Sequence, residues 1–244
     1  MQKQTFKTLL WLFIFGIAMG LLESAVVVYL RELYYPEGFA FPLKPMSPTL
    51  VLTEILREAA TLVMLIAIGV LAGRTRTERF GYFIFTFAVW DIFYYLFLKL
   101  LLNWPESLLT WDVLFLLPTT WVGPVIAPVI LSLLMIVLSL AISNFTDHYR
   151  QTRITAREWL AFIAGSLVVI VSFTLAYVQF MLSRFSWAEL LLPNAKVMEH
   201  ALLFVPQHFH WGIFTAGVLI IAYGLAAFIL RLNKTQAASN KSRV

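Results

Sequence analysis

The chain has 244 residues, 61% of them apolar and only 13% charged, where an ordinary soluble domain carries roughly 25% charged residues. So few polar groups cannot wet a whole surface, and much of the exterior must face lipid. The absence of cysteine excludes disulfides, thiolate nucleophiles and Cys-ligated zinc or iron–sulfur sites. The formal charge of +5 is scattered through short gaps rather than gathered into the face or arm that nucleic-acid binding requires.

Apolar runs long enough to cross the hydrocarbon core lie near 8–30, 50–73, 80–102, 121–144, 159–182 and 207–230. The first opens on the basic MQKQTFK but continues to Leu30 without a small-x-small exit, so it reads as a span and not as a cleaved signal. Within it, Gly16-x-x-x-Gly20 allows another helix to approach closely. Glu23 follows, about 10 Å below the outer boundary at roughly 1.5 Å per residue. The loop from Arg31 to Thr49 mixes aromatics and proline with few charges, which suits the headgroup region or a cover over the bundle mouth.

The second span carries Glu54, Arg57 and Glu58 in its first third. Glu54 and Glu58 are four residues apart and point the same way, with Arg57 near one edge of that face. In the third span Asp91, Tyr95 and Lys99 form an i, i+4, i+8 stripe, with Asp91 near mid-membrane and Lys99 near the outer end; Tyr94 or Tyr95 can donate to a buried carboxylate. The stretch after Asp112 holds Pro118, Pro124 and Pro128. Proline removes helix hydrogen bonds, and irregular backbone at membrane depth needs protein or water around it, so a kinked or partly re-entrant segment is predicted before helix four.

The third outer loop, 183–206, has the pattern of a short interfacial helix, and Pro206 is well suited to begin the last span. His208 and His210 then sit at that span's outer entrance. The polar end, 233–244, is expected to be a flexible tail, leaving one six-helix transmembrane domain over residues 1–232.

Six spans put both ends on one side, and the charges assign it. Twelve Lys and Arg flank the terminal side, among them Lys3, Arg74, Arg150, Arg231 and Arg243, against six on or toward the other. Both termini are therefore cytoplasmic, as in a helical protein of a bacterial inner membrane. The fold class predicted is an all-α, polytopic six-helix bundle.

Ionisable residues inside a membrane point to function unless a structural partner accounts for them. Glu23, Glu54, Glu58 and Asp91 all fall in the outer half, with Arg57, Lys99, His208 and His210 as partners. Helices one, two, three and six are expected to bring them into one outward-opening pocket. Two chemistries suit it. Glu54 and Glu58 with His208 or His210 can ligate a divalent metal such as Zn, Mn or Fe; without a metal, Glu23 and Asp91 can divide acid and base roles while Arg57 or Lys99 stabilises negative charge. The substrate would be an amphiphilic, lipid-like molecule entering from the membrane. The bland reading is that Arg57 neutralises its neighbours, Lys99 snorkels outward and both histidines are interfacial. A structural, assembly or receptor subunit docking a membrane-protein partner is one alternative, and a proton- or cation-coupled transporter is another.

Overall fold

The computed structural model describes residues 2–117, 119–148, 152–190 and 195–241. Pro118, Arg150 and Arg243 lie outside the described residues. Six helices are long and apolar enough to cross a membrane: α1 (Lys3–Tyr34), α2 (Pro48–Ala72), α3 (Arg76–Leu102), α4 (Ile126–His148), α5 (Ala156–Leu182) and, beyond two short outer helices, α8 (Trp211–Lys241). The chain is thus a polytopic membrane protein of six apolar helices. The short ones are α6 (Trp187–Leu190) and α7 (Ala195–Ala201).

Local chemistry sets the starts. Ser47 caps α2 by accepting from the Leu50 N–H, with Pro48 just inside. Capping boxes open α3 (Thr75 with Glu78) and α5 (Thr155 with Glu158), each satisfying backbone donors that a helix start leaves over. Residues 233–241 continue α8 as helix; no glycine or proline interrupts that polar stretch.

Two departures from the sequence reading lie at the outer end. Where a kinked or partly re-entrant segment is expected before α4, β1 (Trp111–Phe115) and β2 (Trp121–Pro124) form an antiparallel hairpin, with Val113 opposite Val122 and an irregularity between Val113 and Phe115. Trp111, Val113, Phe115, Trp121 and Val122 favour a pleated, half-buried surface, and pairing between the strands satisfies backbone groups that prolines would leave open in a helix. Gly123 lets the hairpin press on the bundle: a Cβ there would lie 2.9 Å from the Phe173 ring and 3.3 Å from that of Phe209. The second departure is Pro206, which precedes α8 by several residues instead of starting it. Phe209 packs against Phe173, Trp211 and Phe214, and this aromatic knot holds the chain out of helical geometry until Trp211.

α3 is the hub, packed by α1, α2 and α4, while α5 runs along α8. Gly16 and Gly20 place α1 against α3; a Cβ on Gly16 would lie 2.8 Å from Val89 and one on Gly20 3.1 Å from Trp90 backbone. Toward the helix ends on the side of the two chain termini, Ile84, Ile142, Phe145, Phe162 and Phe228 form a continuous buried cluster. Apolar packing closes the inner half, and the polar groups collect at the other end.

Candidate functional site

At the outer end α1, α2, α3, the hairpin and the first outer loop enclose a cavity of about 730 Å³. Its walls are mainly apolar, including Val27, Ile55 and Leu114, with Tyr177 of α5 and Met198 of α7 closing one side. Glu23, Glu54, Arg57, Glu58 and Asp91 all line it. The structure therefore brings together the acidic residues of three helices and their arginine. Among the described residues, Lys99 of α3, His208 and His210 of the approach to α8, and α8 itself contribute nothing to the lining, so the expected sixth-helix wall is supplied instead by the hairpin and α7.

One guanidinium organises the deeper end. Arg57 Nε donates to Glu54 at 2.8 Å, and its Nη1 donates to Glu23 on α1. Glu58, one turn beyond Glu54, turns toward the hairpin and accepts the Leu116 N–H at 3.0 and 3.2 Å on its two oxygens. Asp91 accepts a hydrogen bond from Ser132 of α4 at 2.8 Å and is in no ion pair among the described residues.

A second polar group sits nearer the mouth, formed by Arg31, Tyr95 and Asp112. Asp112 of β1 is buried and accepts from Tyr95 Oη at 3.2 Å. Arg31, at the outer end of α1, approaches it with 3.9 Å between Nη2 and Oδ1. The Arg31 guanidinium carbon lies 3.8 Å from the Trp104 ring centre and 4.7 Å from that of Phe39, two rings that meet edge to face. Burial pushes the Asp112 carboxyl up to about 6, with Arg31 pulling the other way. Tyr94 lies between the groups, within electrostatic reach of Asp112 and Arg31 on one side and of Glu23 and Arg57 on the other.

Arg31 carried a legible signal. Glu23, Val27 and Arg31 are spaced four apart, and all three line the cavity; α1 simply runs to Tyr34, about one turn past the apolar run that ends at Leu30. Asp112 had no such signal, since only the hairpin turns it inward. Tyr95 does donate to a buried carboxylate, as anticipated, although the acceptor is Asp112.

Lys99 is fully accounted for by its own helix end, donating to the carbonyls of Asn103 at 3.3 Å and Pro105 at 3.0 Å. It does not reach a pocket carboxylate. His208 and His210 lie in the irregular approach to α8, His208 exposed and His210 half-buried. Among the described residues no group of three or more His, Cys, Asp or Glu side chains is placed to hold a metal ion. The residues present do not fit the divalent-metal arrangement expected of Glu54, Glu58, His208 and His210.

No protein-family profile, curated protein or solved structure matches the chain. What the fold and cavity define is a class: a six-helix membrane protein with a polar recess sunk between its helices.

Proposed function

We propose that the chain is an outward-facing membrane enzyme that admits an amphiphilic, lipid-like molecule and acts on its polar end by carboxylate chemistry. The observation that carries this reading is the composition of the cavity. Apolar walls can bury a hydrocarbon tail, while Asp91 and Glu58 offer carboxylates that no direct ion pair neutralises among the described residues. Asp91 is the acid–base candidate, because a single hydroxyl from Ser132 positions it and leaves its second oxygen for a ligand. Such a carboxyl can take a proton from a reacting group and return it. Transport draws less support, since the inner half is filled by Ile84, Ile142, Phe145 and Phe228. A bacterial inner membrane fits the helical spans and the bias of basic residues.

A structural role is favoured by one specific feature. α1 and α2 each pack on α3, and the Arg57–Glu23 pair is a polar tie between them. With Glu54 also bonded to Arg57, these pairs alone would justify two of the carboxylates without any chemistry.

Mass spectrometry of amphiphiles retained by the gently purified wild type and by Asp91→Asn tests the enzymatic reading. An enzyme should yield two different occupants, product or nothing in the wild type and trapped substrate in the variant. Identical occupants in both would favour a binding or structural role. Empty cavities in both would remove the amphiphile from the account.

A further inference from the structure

Arg31 has hydrogen-bonding capacity that the protein does not use. A guanidinium carries five N–H donors in a fixed fork. The Arg31 side chain retains only 9% exposure and yet, among the described residues, donates no hydrogen bond. The nearest Asp112 oxygen, Oδ1, stops 3.9 Å away, beyond hydrogen-bond length, and the other, Oδ2, accepts from Tyr95. The aromatic corner of Phe39 and Trp104 fixes the cation in place without using its N–H groups, and none of these is among the fully buried unpartnered atoms of the described residues, so the donors face open space. Arg31 lines the cavity, so a ligand there can reach those donors.

The surroundings say what kind of ligand. Lys44 also lines the recess and lies 5.5 Å from the centre of the Tyr35 ring, and Tyr35 in turn accepts the Lys44 backbone N–H at 2.7 Å. Two cations thus flank the mouth. Glu23 and Glu54 are deeper and already bonded to Arg57. A planar fork matches a phosphate in a bidentate fashion, with directional bonds an ammonium cannot reproduce.

We propose that Arg31, supported by Lys44, is the receptor for a phosphate group carried by the amphiphile, held at the mouth while the tail lies along the apolar walls. This rests on the amphiphile reading above and specifies its headgroup. It makes Arg31 a binding residue, distinct from the acid–base role of Asp91.

The test uses the full chain in a maltoside detergent, which brings no phosphate of its own. Native mass spectrometry would compare dioctanoyl phosphatidate, dioctanoylglycerol with the same tails, and inorganic phosphate. Phosphatidate is expected to bind about 10- to 100-fold more tightly than dioctanoylglycerol, the range set by charge-assisted hydrogen bonds. Arg31→Gln should abolish that preference while leaving dioctanoylglycerol binding unchanged, and Arg31→Lys should keep only part of it. Equal binding of phosphatidate and dioctanoylglycerol by the wild type overturns the phosphate receptor but spares the amphiphile reading; this comparison stands even if the variants fail to fold. Binding of neither lipid overturns both, and inorganic phosphate binding as tightly as phosphatidate overturns the lipid source.

Discussion

Arg57 on α2 donates to the Glu23 carboxylate on α1, and through its Nε it also holds Glu54 on its own helix at 2.8 Å. One cation therefore serves two carboxylates from two helices that otherwise meet mainly through α3. Removing it leaves both acids in a low-dielectric recess, where an uncompensated charge costs far more than a surface pair is worth.

Arg57→Met is accordingly expected to destabilise the protein by about 3 kcal/mol, at the low end of the range for a broken buried pair because Arg57 keeps 23% side-chain exposure. The triple variant Glu23→Gln, Glu54→Gln, Arg57→Met should recover most of that loss, since no orphan charge remains. Reversible unfolding in mixed micelles measures both. Equal losses in the single and triple variants would show that packing of the Arg57 stem, and not charge pairing, matters there.

Glu58 makes a separate connection, joining α2 to the hairpin by accepting the Leu116 N–H. Glu58→Ala should raise amide hydrogen exchange at Leu116 about 10-fold, the loss of roughly one hydrogen bond to a charged group. Lys99→Ala should leave that exchange rate unchanged, because among the described residues the Lys99 ammonium bonds only to the carbonyls of Asn103 and Pro105. Unaltered protection in Glu58→Ala would mean that strand pairing alone holds the turn.

Asp112 makes stability depend on pH. Its carboxyl rises from the ordinary 3.8 to about 6 in the folded protein, so the native state favours the protonated form. That contribution is complete below pH ~4 and is lost as pH rises through about 6, the unfolded chain releasing its proton earlier. Between pH 4 and pH 8 the wild type should lose on the order of 3 kcal/mol relative to Asp112→Asn, which cannot titrate. Parallel unfolding of the two proteins across that window checks the sign; a gap that stays constant would place Asp112 in an environment no different from water.

Much of the bundle was legible because hydrophobic length is a one-dimensional property. Each of the six long helices corresponds to an apolar run, and Gly16 and Gly20 announced a close helix contact that α3 provides. Charges inside such runs were equally visible, which is why Glu23, Glu54, Arg57, Glu58 and Asp91 could be selected before any neighbour was known. The segment from Trp111 to Pro124 was harder. Its apolar residues suited either a broken helix or strands, and short apolar stretches do not distinguish the two by periodicity.

The sequence by itself determined where the chain enters and leaves lipid and which side chains cannot rest there alone, since both follow from the transfer cost of each residue. Tertiary structure decided who meets whom. Asp112 turns inward only because β1 pairs with β2, Arg31 on its stripe of α1 is enclosed by the corner that Phe39 and Trp104 form around it, and His208 and His210 stay out of the lining because the aromatic contacts of Phe209 hold the approach to α8 elsewhere. Those outcomes depend on distances between segments far apart in the chain, and no local pattern of residue types encodes such distances.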